Sequence, residues 1–163
     1  MQATVENVFT VKSIHSVKDT MDLIEKDIEE QNGIVFVRID QKKAAEEAGV
    51  IGQLDDTELI LFGNPKVGTQ LMVANGSVSI ELPLRASCWR QNETVYLSFR
   101  NPLALEIQYN LSSKKDVLQK MTDNIIQMMK KYEVISNGGS MLVLHIHIGI
   151  FGILLLHALI RCN

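Results

Sequence analysis

The stretch Gly63-Asn64-Pro65-Lys66-Val67-Gly68-Thr69 carries the residue types in this sequence best suited to holding a small anion. It leaves an apolar run and leads toward a helix. Its backbone N–H groups, the Lys66 ammonium and the Thr69 hydroxyl could therefore converge on negative charge, with Asn64 orienting the bound group. The Gly-Lys-Ser/Thr ending of a nucleotide-hydrolysing P-loop is absent. The same residues also read as a tight turn, with Gly63 and Gly68 supplying backbone freedom and Pro65 fixing one dihedral. Asp40, two residues after Arg38, is the carboxylate available to work as a base with the loop. It is equally well placed as the N-cap of the helix that follows. The candidate ligand contacts are thus Asn64, Lys66, Gly68, Thr69 and Asp40.

Elsewhere the sequence is poor in chemistry. Cys88 has no neighbouring histidine or helix start to activate its thiol. With only Cys162 as a second cysteine, neither a disulfide framework nor a cysteine zinc site is implied. Cys88 and Trp89 are consecutive in an extended run and point to opposite faces, so one of them is buried. Trp89 suits a core or dimer contact better than a stacking platform for a cofactor. Met121, Met128 and Met129 form a helical stripe that reads as core packing or as an adaptable binding surface. Arg85 and Arg100 read as solvated strand charges or as a positive patch near the glycine loop. His145 and His147 would lie about 200° apart on a helix, which does not suit a metal pair. No metal and no cofactor is implied. The formal net charge is −3, and Lys42 and Lys43 directly precede Glu46 and Glu47. That distribution excludes a nucleic-acid surface.

The elements that must position these residues follow from periodicity. Thr4 to Lys12 and Ile34 to Ile39 read as strands, as do Glu58 to Gly63, Leu84 to Arg90 and Thr94 to Arg100. Ser77 to Leu82 alternates apolar and polar residues in the manner of a weaker strand. Ser16 caps a helix carrying Met21, Ile24 and Ile28 on one face, and Asn32-Gly33 stops it. Asp40 opens a shorter helix that Gly49 ends, and Thr69 to Ala74 suggests another. Ser113 to Glu133 is amphipathic through Val117, Met121 and Ile125. Runs of adjacent strands argue against a doubly wound parallel sheet. The expected fold is α+β: an antiparallel or mixed sheet with two long helices packed on one face.

The stretch Leu59 to Met72, LILFGNPKVGTQLM, together with Arg38-Ile39-Asp40, Glu81-Leu82-Pro83-Leu84-Arg85, Trp89 and Asn101-Pro102, resembles the domain-of-unknown-function 302 family over roughly residues 10–133. The resemblance implies a β-α-β-β-β-β-α core and a homodimer, and no reaction. Gln41 stands where many relatives carry a histidine, and Phe99 where a tyrosine is common. Both departures weaken a polar catalytic pocket.

The composition changes sharply at the C-terminal end. Residues 1–135 form the expected domain, 136–140 a linker, and 141–160 an uncharged apolar segment. Its 20 residues are the length that a helix needs to cross a hydrocarbon core of about 30 Å. Three readings fit it: a transmembrane tail anchor, an extension packed on the domain, or an adventitious tail. Lys130 and Lys131 on the domain side, against Arg161 beyond the span, leave the domain in the cytoplasm if the segment does span. The N-terminus lacks the basic and apolar regions of a secretory signal, in keeping with a cytoplasmic domain. The functional expectation is a non-enzymatic small-ligand or protein-interaction domain held at a membrane. The alternative is an enzyme acting on a small anionic substrate at the Asn64–Thr69 loop.

Overall fold

The computed structural model describes residues 7–133. The elements run β1 (Val8–Ser13), α1 (Val17–Glu30), β2 (Ile34–Asp40), α2 (Gln41–Glu47), β3 (Thr57–Gly63), α3 (Pro65–Ala74), β4 (Leu84–Gln91), β5 (Thr94–Arg100), α4 (Leu105–Gln108) and α5 (Lys115–Lys130). The five strands form one sheet in the order β1-β5-β4-β3-β2, with every neighbouring pair antiparallel. This is the β-α-β-β-β-β-α core that the resemblance implies, with α2 and α3 inserted after β2 and β3. The linker and the apolar segment expected at 136–140 and 141–160 lie outside the described residues. Among the described residues, no helix is long and apolar enough to cross a membrane.

Alternation along the strands builds the main core. Ile60 and Phe62 on β3, Ala86 and Cys88 on β4, and Leu97 and Phe99 on β5 point to one face. There they meet Met21, Ile24 and Ile28 of α1 and Ile125, Met128 and Met129 of α5. Phe62 and Phe99 pack edge to face, their ring centres 6.0 Å apart. Each fully buried aliphatic or aromatic side chain contributes about 2 kcal/mol, which is why both long helices settle on the same side. The opposite face carries Trp89 stacked on Tyr96 at 5.5 Å.

The ends of α1 follow from single residues. The Ser16 hydroxyl accepts from the Asp19 N–H at 3.1 Å. At the other end Asn32 adopts a left-handed φ of 59°. The Asn32 and Gly33 N–H groups then donate to the carbonyls of Glu29 and Ile28, both at 2.9 Å. A Cβ at residue 33 would lie 2.7 Å from the Ile28 Cγ2 atom and 2.9 Å from its carbonyl oxygen, so only glycine fits there.

A second, smaller core joins Leu71 of α3, Val78, Leu105 of α4, Leu111 and Leu118 of α5. Its presence corrects one expectation from the sequence. Gly76–Glu81 is a 3-10 helix, not a strand, and Asn75 caps it by accepting from the Ser77 N–H. The alternation misleads because Val78 alone is driven into the small core while Ile80 is 71% exposed. The helix expected from Thr69 begins earlier, at Pro65, because proline at the first helical position sacrifices no hydrogen bond.

Candidate functional site

The Asn64–Thr69 segment is built around one side chain. Pro65 sets the first helical dihedral and has no N–H to satisfy. Asn64 Oδ1 accepts from the Lys66 N–H at 2.9 Å. The Asn64 carbonyl accepts from the Val67 and Gly68 N–H groups, both at 2.9 Å. Asn64 Nδ2 in turn donates to the Asn32 carbonyl at 3.1 Å, tying the start of α3 to the end of α1. The N–H groups of residues 66 to 68 are therefore all engaged by Asn64 rather than directed at a ligand.

Beside this junction lies a cavity of about 410 Å³. Its walls come from the end of α1, the end of β3, one side of α3, the Leu82-Pro83-Leu84 segment and α5. Phe36, Phe62, Met72, Leu82, Met121 and Met128 are among its apolar lining residues. Among the described residues, Gln31, Asn64, Thr69 and Asn124 are its polar side chains, and no charged or titratable residue lines it. A volume of this size suits a small organic molecule, and the lining suits a neutral, mainly apolar one.

The structure thus brings Asn64, Gly68 and Thr69 to one cavity and leaves Lys66 and Asp40 outside its lining. Lys66 is exposed. Asp40 lies at the other end of β2, where its carboxylate accepts from the Lys43 N–H at 2.8 Å and caps α2. Sequence reasoning did not single out Phe36, Leu82, Pro83 or Asn124 as site residues. Phe36 is 52% exposed at a register shift in β2, features that the structure alone reveals. Among the described residues, no group of three or more histidine, cysteine, aspartate or glutamate side chains is arranged to hold a metal ion.

The sequence pattern of the family described as domain of unknown function DUF302 matches residues 9–131. The chain belongs to the DUF302 family. The DUF302 domain is similar in fold to a crystal structure of an uncharacterized conserved DUF302 protein from Bacillus stearothermophilus, with a TM-score of 0.71. That likeness covers 79% of this chain and 100% of the other at 15% identity. In sequence the chain is 37% identical, over 112 residues, to the fluoride-specific ion channel FluC 1 of Brucella suis. It is equally similar to the fluoride-specific ion channel FluC 2 of Brucella melitensis. The match covers 68% of this chain but 43% and 41% of those proteins, so the chain spans less than half the length of the curated relatives it matches.

Several other polar groups of the DUF302 domain hold its elements together. Arg38, expected beside Asp40, turns instead to Glu58 at 2.6 Å, Asp22 at 2.6 Å and Glu25 at 3.2 Å, joining β2 to β3 and to α1. Asp27 receives hydrogen bonds from Tyr132 and Lys131 and anchors the end of α5 against α1. Burial, with the Asp27 carboxylate next in effect, raises the Tyr132 phenol well above its ordinary value, so it stays a donor. Burial likewise pushes the Cys88 thiol up to about 12, which leaves it protonated and unreactive at neutral pH.

Proposed function

We propose that the DUF302 domain of this chain is a non-enzymatic binding module that takes a small neutral ligand into the cavity beside Asn64. One observation carries the reading: a cavity of about 410 Å³ has mainly apolar walls and, among the described residues, no titratable side chain. Acid–base, nucleophilic and metal-assisted reactions all need such a group within reach of the reacting atoms, whereas binding needs only burial and a few oriented polar contacts. Burial of apolar ligand surface supplies the affinity, at about 25 cal/mol per Å² before the cost of immobilising the ligand. Asn64 and Asn124 select ligands that carry a hydrogen-bonding atom at the rim. The alternative of an enzyme acting on an anion draws less support, because the loop N–H groups are engaged and Lys66 stands outside the cavity lining.

The module works at a membrane in this reading. Support comes from the uncharged residues 141–160 and from the naming of the Brucella relatives as ion channels, proteins that span membranes.

Titration of the chain with Nile red, a neutral apolar dye, tests the ligand reading. Saturable fluorescence enhancement in the native chain that disappears in Gly68→Leu supports it, because a Cβ at residue 68 would lie 3.7 Å from Leu82 in the cavity wall. Equal enhancement in both proteins places the dye elsewhere and sinks the proposal. Carbonate extraction of the full chain, beside a truncation ending at Gly139, tests the anchor: only the full chain should remain with the membrane.

A further inference from the structure

A second cavity, of about 220 Å³, is lined by Glu81, Arg85 and Arg100. It is separate from the cavity beside Asn64. Residues 82 to 84 line one and residues 81 and 85 line the other, so this short segment is a wall of both.

The placement of the two arginines is unusual for a sheet. Ala86 pairs with Phe99, so one step along the ladder Arg85 of β4 stands opposite Arg100 of β5. Their side chains leave the same face of adjacent strands, and like charges directly opposite destabilise a sheet unless something negative lies between them. Glu81 is the carboxylate present, and it neutralises the pair only in part. Its Oε2 lies 3.9 Å from Arg100 Nε, beyond hydrogen-bonding reach. Its Oε1 accepts from the Tyr109 hydroxyl at 3.0 Å. Arg100 Nε is itself buried and has no hydrogen-bond partner among the described residues. A buried guanidinium N–H left unpaired is costly. The same guanidinium donates from Nη2 to Gln108 Oε1 at 3.3 Å. Arg85 is exposed, and its hydrogen bond among the described residues is from Nη2 to the Ile80 carbonyl at 3.1 Å.

We infer that Arg85 and Arg100 form a binding site for a single oxyanionic group, a carboxylate or a phosphate, seated in this cavity against Glu81. Two guanidiniums against one carboxylate leave a positive charge in a confined space. The guanidinium N–H groups not engaged by Ile80 and Gln108 are donors suited to the oxygens of such a group. Glu81 opposes the anion electrostatically while holding Tyr109 in place, so it tunes the site toward modest affinity and reversible exchange. This reading is independent of the neutral-ligand cavity and stands or falls alone.

The test is calorimetric titration of the full-length chain in a nonionic detergent with inorganic phosphate, then with acetate, at constant ionic strength. Saturable binding of at least one of them is expected, weakened about tenfold in Arg85→Gln through loss of a charge-assisted contact. Because Arg85 is exposed, that variant keeps the fold. Glu81→Gln retains an acceptor for Tyr109 and removes the competing charge, so it should bind the anion several-fold tighter, roughly the factor expected of one nearby charge. The relative affinity for phosphate and acetate then assigns the group to one chemistry. Absence of saturation in the millimolar range, unchanged affinity in Arg85→Gln, or weaker binding in Glu81→Gln each overturns the inference.

Discussion

Asn64 donates its side-chain amide to the backbone carbonyl of Asn32 at 3.1 Å, while the oxygen of the same amide caps α3 through the Lys66 N–H at 2.9 Å. One residue thereby links the left-handed end of α1 to the first turn of α3, and both helix termini border the apolar cavity. Replacement by alanine removes the cap and the tie together and should destabilise the chain by about 1–2 kcal/mol. Asn64→Asp keeps the acceptor for Lys66 but has no donor for Asn32, so its loss should be smaller. Urea unfolding of the three proteins checks the order, and an aspartate variant as unstable as the alanine variant would refute the division of roles.

Arg38 joins three carboxylates, and Glu58, only 13% exposed, is the one that depends on it most. Arg38→Met leaves that carboxylate half-buried without its cation, at an expected cost of about 2–4 kcal/mol. Adding Glu58→Gln removes the stranded charge and should recover part of the loss. A double-mutant cycle in urea measures the coupling. Additive losses would mean that the pair contributes nothing beyond packing.

Stability toward acid should report the same network. A hydrogen bond from Lys18, and then one from Arg38, hold the Asp22 carboxyl below its ordinary value of 3.8. A depressed folded-state value means that the carboxylate stabilises the fold above its unfolded value and that this contribution is lost as pH falls through the folded one. Asp22 is 44% exposed, so solvent screening keeps the effect below about 1 kcal/mol. Asp22→Asn should therefore be slightly less stable than the native chain at neutral pH and converge with it as the pH drops below 3.8. Thermal melts across that range would show the gap closing, and a gap that is constant with pH would contradict the assignment.

The elements were legible in the sequence where a residue acts locally. Ser16 and Asp40 cap the helices they precede, Asn32-Gly33 stops α1, and the strands carry their alternation into the core. Ser77 to Leu82 reads as a strand because the small core that captures Val78 also needs Leu105, Leu111 and Leu118, which are distant in sequence. The candidate loop borders the cavity through Asn64, Gly68 and Thr69, but Lys66, the positive charge in its expected chemistry, lies outside the lining. The cavity itself is illegible, since Phe36, Leu82 and Met121 come from three distant segments, and of these only Met121, in the methionine stripe, also reads as a binding surface. The Arg85–Arg100 juxtaposition depends on the register of β4 against β5, and neither arginine gives that register alone.

Gly68 tests how far the cavity is maintained at the expense of stability. It sits inside α3 with no positive φ, and a Cβ there would meet Leu82 Cδ1 at 3.7 Å, an ordinary van der Waals contact. Alanine at a helix interior position is favoured over glycine by about 0.5–1 kcal/mol, because glycine loses more backbone entropy on folding. Gly68→Ala should thus raise the unfolding free energy by that amount. The added methyl also enters the cavity wall, so the same substitution should weaken binding of a neutral ligand that fills the space. Urea unfolding and Nile red titration of one variant therefore read opposite signs. Greater stability with unchanged dye affinity would show that the ligand does not reach α3, whereas lower stability would mean that the wall at Leu82 cannot accept even a methyl group.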